Sequence, residues 1–486
     1  MKLERLLNFK ELQHHNSNQN ITDICLDSRL VNNGNLFFLL ERNVQLQEQY
    51  LMQAIHNGAT AIIAPKEFTF DGAAINIPII KVDSVRKTLS QVSSKYYPKQ
   101  PKNILAITGT NGKTSVTKFT EEIWLLMGIK SASIGTLGNS TTKTSSALTT
   151  PDPISLHKQV DTLASEGFQN LVIEASSHGL SQLRMDSLEI AGAAFTSFSR
   201  DHLDYHSSME SYFNAKKRLF THLISTKGTA VINMIDLPMR FHNFIDSIKA
   251  ENLITIGHKN ASISILGINR GDNNKIQLQI NCYGKKIIVA TPFIAPFQAI
   301  NSLIAGCMAT VNTGITLSEA FATIEKLSDV RGRLECVAKL KDNNIFIDYA
   351  HTPDAMSSVL EAIRMITKNR LIIVFGAGGD RDKGKRSIMS DVADKYADLI
   401  VITDDNPRFE EPSLIRGQLM KQSRKYIEIA SREEAISYAI SKLSSEDNLL
   451  ICGKGHEEYI IYGEEKIYSS DHSIVEQTIK KGLNER

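Results

Sequence analysis

Apolar residues along this chain come mostly in short runs, separated by polar segments at helical spacing, and those runs set the expected fold. Asn35–Leu40, Ala59–Ala64 and Ile77–Val82 read as strands and Tyr50–His56 as a helix, which makes residues 1 to about 97 a small α/β unit. The stretch Tyr96-Tyr97-Pro98-Lys99-Gln100-Pro101 then interrupts the pattern, because proline lacks an N–H and keeps its predecessor extended.

From about residue 102, strand and helix alternate. Ile104 to Met127 runs as strand, glycine-bearing loop and helix, and Asn170–Glu174, Ala191–Ser199 and Thr229–Met234 add apolar strands. That alternation predicts a parallel sheet covered by helices on both faces. Residues 260–292 alternate Ile, Leu and Val with polar neighbours, which predicts an antiparallel extension, and a helix is expected over Ala299–Val311. Near Ser328 to Arg333 the pattern changes again. Strands are then expected at Ile345–Tyr349, Leu371–Phe375, Leu399–Thr403 and Leu449–Cys452, each followed by a polar motif: DYAHTPD, GAGGDRDKGKR, DDNPRFEEP and GKGHEE. Ligands of open α/β sheets sit beyond the carboxyl ends of the strands, so these four motifs predict one crevice. The expected class is α/β, with domains at 1–98, 99–330 and 331–486.

A length of 486 residues suits several cores rather than one. With a net charge of +2 and cations spread along the chain, no basic track for nucleic acid and no polybasic membrane patch is present, so small-molecule partners are expected. The five cysteines are dispersed and never form C-x-x-C, which argues against a disulfide framework or a zinc site. The N-terminus lacks a continuous apolar signal region, and no uninterrupted apolar run reaches the roughly 18 residues of a membrane span. A cytoplasmic protein is expected, with no membrane insertion.

Candidate chemistry begins at TGTNGKTS. Gly109, Asn111 and Gly112 allow a tight turn whose N–H groups face an anion; Lys113 adds a cation for the β- and γ-phosphates, and the Thr114 hydroxyl can bind Mg²⁺. Ile107 stands where the full phosphate-loop pattern has glycine. Glu174, ending an apolar strand, is expected at the same sheet edge as an oxygen ligand for nucleotide-bound Mg²⁺. Ser199 to His206 gathers five ionisable groups and a tyrosine suited to metal or phosphate.

TGTNGKTS, EASSHGL, SRDHLDYH, NAKKRLF, RGRLE, DYAHTPDA, GAGGDRDKGKR, TDDNPR and GKGHE, in that order, resemble the Mur ligases of peptidoglycan precursor synthesis over nearly the whole chain. The resemblance implies a UDP-substrate-binding N-terminal domain, a central P-loop ATPase-like domain and a C-terminal Rossmann-like domain for the incoming amino acid. It implies ATP-dependent amide formation through an acyl phosphate, with Mg²⁺ as cofactor. ATP is expected at Gly109, Thr110, Asn111, Gly112, Lys113, Thr114 and Ser115, joined by Asn301, Arg333 and Asp348. Lys113, Glu174, His202 and Lys216 are the implied catalytic residues. Lys216 is expected to be carbamylated by CO₂ (N6-carboxylysine) and to join Thr114, Glu174 and His202 around metal.

The implied acceptor is UDP-MurNAc-L-Ala-D-Glu, at Leu26 and Ser28 of LDSR and at Thr149, Thr150, Ser176, Gln182 and Arg184. The implied amino acid is meso-diaminopimelate, at Arg381, Asp405, Asn406, Pro407, Arg408, Gly453 and Glu457. The Arg408 fork would pair with the distal carboxylate that L-lysine lacks. A monomer is expected. The chain departs from the family pattern at Ala295 and Gln298, in place of Gly and Asn, and at Glu41 to Gln47, in place of a Gly-rich, His-containing loop. A nucleic-acid-coupled ATPase would need a basic track, and a folylpolyglutamate-type ligase would not carry DNPR. A non-catalytic nucleotide module is disfavoured by the intact Lys113, Thr114, Glu174, His202 and Lys216 set.

Overall fold

The structure is a computed structural model that describes residues 1–7, 18–41, 43–70, 75–142 and 148–484. Strands β1 (Asp23–Cys25), β2 (Asn35–Phe38), β3 (Ala59–Pro65) and β4 (Ile79–Val82) form a parallel four-stranded sheet in chain order. Adjacent residues of β2 feed opposite faces: Leu36 and Phe38 enter one core, Phe37 enters another. β4 starts two residues later than the apolar run predicts, because Pro78 has no N–H to give the ladder. Helix α1 (Val44–His56) starts earlier than expected, since Asn43 Oδ1 accepts from Gln45 N and Leu46 N and caps it. The substituted stretch 41–47 is therefore largely a helix start, with Arg42 outside the described residues. Helix α2 (Val85–Tyr96) completes this N-terminal unit.

The central sheet holds β5 (Asn103–Thr108), β6 (Ser131–Gly135), β7 (Gly138–Asn139), β8 (Asn170–Glu174), β9 (Ile190–Phe195), β10 (Ile224–Asn233), β11 (Asn252–Gly257), β12 (Ile263–Arg270), β13 (Ile276–Cys282) and β14 (Lys285–Ala290). Their order is β14-β13-β12-β11-β10-β9-β5-β8-β6-β7. β11-β10-β9-β5-β8-β6 is parallel throughout, and β5 and β8 are buried at every position, as strands covered on both faces must be. Ile104 and Ala106 enter one core, Leu105 and Ile107 the other. The extension β12-β13-β14 is antiparallel, and β13 alternates buried Ile276, Leu278, Ile280 and Cys282 with more exposed neighbours. Helices α3 (Lys113–Leu126), α4 (Pro153–Ser165), α5 (Met209–Arg218) and α6 (Pro296–Ala309) belong to this unit.

A third sheet contains β15 (Glu335–Leu340), β16 (Asn343–Asp348), β17 (Leu371–Phe375), β18 (Leu399–Ile402), β19 (Tyr426–Glu428) and β20 (Asn448–Cys452), ordered β15-β16-β20-β17-β18-β19. All pairs except β15–β16 are parallel. The hairpin β21 (Tyr459–Tyr462) and β22 (Glu465–Tyr468) follows. No helix among the described residues is long and apolar enough to cross a membrane.

Candidate active site

The loop between β5 and α3 is shaped by glycine. Gly112, at φ +84°, caps α3 without a side-chain acceptor, and a Cβ there would lie 2.6 Å from Asn301 Oδ1. The first-turn N–H groups of α3 are therefore left for an anion. β9 ends at Phe195, earlier than expected, because residues 196–199 peel away to wall this loop. Thr110 N donates to Ser197 O at 2.8 Å, and Asn111 N donates to Ser197 Oγ at 2.9 Å. Lys113 is folded back, its Nζ donating to Gly109 O at 3.0 Å and Thr110 O at 2.8 Å.

Glu174 is buried at the end of β8, beside β5. Thr114 Oγ1 donates to its Oε2 at 3.1 Å; Thr136 donates to Oε1 through N at 2.8 Å and to Oε2 through Oγ1 at 3.0 Å. Thr136, missed in the sequence because it carries no motif, thus fixes the carboxylate. Arg333, from the approach to the third sheet, donates to Thr114 Oγ1 at 3.0 Å and lies over the Tyr349 ring. Asn301 donates to Gln298 Oε1 at 3.0 Å, and Gln298 donates to Arg333 O at 3.0 Å, so the substituted Gln298 ties α6 to the same arginine. Asp348 ends β16 and accepts from Leu334 N and Ala350 N; burial pushes its carboxyl up to about 6. These groups surround a cavity of about 380 Å³. Ser115 lines it too.

His202 stands at φ +53°, an unusual conformation for a non-glycine residue. Its Nε2 lies 3.3 Å from Asp201 Oδ2. Burial first, then the cations Lys113 and Lys216, push the imidazole well below the usual histidine range despite Asp201, and so favour a neutral ring able to lend a lone pair. Lys216, on α5, is 1% exposed, donates to Gly109 O at 2.7 Å and lies over the Tyr212 ring. Burial and the nearby Lys113 cation hold its amine well below the usual lysine range. Lys217 is only half-buried, so exposure separates two lysines that the sequence alone leaves adjacent.

No group of three or more His, Cys, Asp and Glu arranged to hold a metal occurs among the described residues. The hard oxygens of Thr114 and Glu174, 3.1 Å apart beside the phosphate loop, nonetheless suit Mg²⁺, which takes few protein ligands and keeps phosphate and water.

Thr150, Ser176, Gln182 and Arg184 form one network on the other side of Glu174. Thr150 Oγ1 donates to Glu174 O at 2.7 Å and lies 3.1 Å from Ser176 Oγ; Arg184 donates to Thr150 O at 2.5 Å and to Gln182 Oε1 at 2.8 Å. Thr149 Oγ1 lies 3.2 Å from Thr136 Oγ1. Leu26 and Ser28 lie apart, next to β1, where Ser28 Oγ donates to Gln53 Oε1 at 2.6 Å.

A second cavity, of about 290 Å³, opens beyond β16, β17, β18 and β20 and takes in Arg381, Asp405, Asn406, Arg408, Gly453 and Glu457. Asp201, His202, Tyr349, His351 and Asp354 line both cavities and form their common wall. Arg408, at φ +54°, is held by its backbone: its N donates to Ile461 O at 2.9 Å, while its Nη1 donates to Gly379 O at 2.9 Å. Asn406 donates to Glu457 Oε2 at 3.0 Å and accepts from Ile461 N at 3.0 Å, so its side chain braces the loop. Pro407 closes against Gly379, where a Cβ would collide with the proline carbonyl. Gly453, at φ +110°, leaves room for Asp405, whose Oδ2 would lie 2.5 Å from an added Cβ. Burial, then Asp405, raises Glu457. Arg381 reaches across to Asp204 at 2.9 Å, and Arg200 to Asp382 at 2.9 Å.

Residues 107–309 match the Mur ligase middle domain and residues 332–455 the Mur ligase glutamate ligase domain. A UDP-N-acetylmuramoyl-L-alanyl-D-glutamate–2,6-diaminopimelate ligase of Bradyrhizobium diazoefficiens is 41% identical over 465 residues, covering 94% of each chain. One from Rickettsia montanensis is 38% identical over 491 residues, covering 97% of this chain and 98% of that protein. A solved structure bearing the same ligase name superposes with a TM-score of 0.70 at 27% identity, covering 99% of both chains. MurF ligase of Thermotoga maritima in complex with ADP shares the fold, with a TM-score of 0.62 at 17% identity, covering 96% of this chain and 99% of that one.

Proposed function

The chain belongs to the Mur ligase family, and from that premise we propose that it joins meso-diaminopimelate to the D-glutamate γ-carboxylate of UDP-MurNAc-L-Ala-D-Glu, with cleavage of ATP to ADP and phosphate. The observation that carries the reading is the common wall between a phosphate-loop cavity and an arginine- and carboxylate-lined cavity. It fits a reaction whose activated intermediate must meet an amine without meeting water. We assign the domains as 1–98, 99–330 and 331–486, and the protein as a monomer of the cytoplasm.

A carboxylate is a poor electrophile. Attack of its oxygen on the γ-phosphorus of ATP expels ADP and leaves an acyl phosphate; attack of the amine on that carbonyl forms the amide and expels phosphate. The α3 N-terminus and Lys113 offset phosphate charge, once Lys113 exchanges its loop carbonyls for phosphate oxygens. Thr114, Glu174, His202 and the carbamate of Lys216 are the proposed holders of Mg²⁺, which when bound neutralises charge building on the transferred phosphoryl group. The depressed Lys216 amine supports carbamylation, because CO₂ adds to the neutral form. Asn301, Arg333 and Asp348 would embrace the nucleotide, with Leu26 and Ser28 at its uridine-bearing partner. Glu457 and Asp405 would receive the ammonium groups of diaminopimelate, and Arg408 and Arg381 its carboxylates.

Phosphate release is measured with Mg-ATP and UDP-MurNAc-L-Ala-D-Glu, adding meso-diaminopimelate, L-lysine or neither. Release with diaminopimelate alone, with matching tripeptide product, is expected. Release with lysine instead would overturn the amino-acid assignment, and none with either would overturn the ligase reading.

A further inference from the structure

Arg86, near the start of α2, projects from the N-terminal unit onto the central one. The contact between the units sets its place. Gln100 Nε2 donates to Ser187 O at 3.0 Å, Glu189 N donates to Gln100 Oε1 at 3.1 Å, and the hydroxyls of Ser90 and Ser187 lie 3.4 Å apart. A helix docked in this way presents its side chain with little freedom.

Arg86 Nη1 donates to Gln182 Oε1 at 3.3 Å, and Arg184 Nη2 donates to the same oxygen at 2.8 Å. Two guanidinium groups therefore share one neutral acceptor. Among the described residues neither is ion-paired with a carboxylate, while Asp152, whose charge favours the Arg184 cation, is engaged in capping α4 through Ile154 N and Ser155 N. Burial and repulsion from Arg86 both hold Arg184 below the ordinary arginine range. Converging cations of this kind gain most from an anion that both forks can reach. The site adjoins the reacting centre, since Arg184 binds Thr150 O and Thr150 Oγ1 binds Glu174 O.

We propose that Arg86 and Arg184 form a two-armed clamp for an anionic group of the acceptor, carboxylate or phosphate, so that the N-terminal unit takes part in orienting the reacting end. The inference rests on the ligase reading above. The chemistry favours the α-carboxylate of the terminal D-glutamate. That residue carries two carboxylates, only one of which is to be phosphorylated, and clamping the other decides which faces ATP.

The test measures binding of UDP, of UDP-MurNAc-L-Ala-D-Glu, and of the analogue whose D-glutamate α-carboxylate is a carboxamide, to the wild-type chain, Arg86→Ala and Arg86→Lys. For the α-carboxylate, Arg86→Ala weakens the acceptor about ten- to a hundredfold and leaves UDP and ATP unchanged. Wild type then loses a similar factor on the carboxamide, a loss that is absent in Arg86→Ala, and Arg86→Lys recovers part. For the diphosphate, UDP and acceptor weaken together. Unchanged acceptor affinity in Arg86→Ala, or a carboxamide penalty and a UDP affinity both indifferent to residue 86, overturns the clamp alone. A wild-type chain that does not bind the acceptor overturns the clamp and the ligase reading together.

Discussion

Lys216 and Lys217 show what a single side chain gains from its surroundings. Both follow Asn214 and Ala215, and nothing in their local spacing separates them; the fold buries one against Gly109 O and Tyr212 and leaves the other half-buried. Lys216→Ala is expected to lower kcat by about 10²-fold or more, with partial recovery on adding a small carboxylate such as acetate. Full activity without additive would remove the carbamate. Arg408 was legible as the one rigid fork in DDNPRFEEP. Arg408→Ala should reduce kcat/KM for diaminopimelate by about 10²-fold or more while leaving ATP binding near wild type, as read from initial rates and nucleotide titration.

At the scale of elements, strands buried on both faces, such as β5, β8, β17 and β20, were legible because an unbroken apolar run needs no partner to be recognised. β6, with three serine or glycine residues in five, and the three-residue β19 were not; their place is set by neighbouring strands. The hairpin β21–β22 was also missed, although its first strand holds Arg408 and Asn406 by backbone bonds. Asn406→Ala should therefore impair diaminopimelate use with Arg408 intact, and lower the melting temperature by the equivalent of about 1–3 kcal/mol.

Helix α4 carries a different kind of signal. His157 is fully buried, and neither ring nitrogen has a hydrogen-bond partner among the described residues. Burial pushes its pKa down from 6.5 to about 4, so between those values the unfolded chain binds the extra proton. The contribution of this residue is complete above pH 6.5 and is lost as pH falls through about 4, up to about 3 kcal/mol. Denaturant titrations of His157→Leu across this window should show a flatter acid limb; a slope equal to wild type would contradict the assignment.

At the scale of the whole molecule, two crossed ion pairs, Arg381–Asp204 and Arg200–Asp382, bind the central unit to the third sheet. Residues this far apart in sequence leave no local trace of their pairing, which is why the motifs were readable and the contact was not. Side-chain exposure of 50% and 59% on the arginines limits each pair to about 0–1 kcal/mol, so together they form a weak, salt-sensitive latch. Asp204 also occupies the arginine that the amino acid is proposed to use, so ligand and latch compete for it. Small-angle scattering of the ligand-free protein should show a larger radius of gyration in Asp382→Lys than in wild type at low salt, the difference shrinking as salt rises. The wall formed by Asp201, His202, Tyr349, His351 and Asp354 has a further consequence, for inhibitor design. A single molecule bearing a nucleotide mimic at one end and a diaminopimelate mimic at the other needs only a linker that spans one layer of side chains. Once one end is seated, the other meets its compartment at an effective concentration in the millimolar range or above, so two weak fragments would combine into a tight ligand without any new contact.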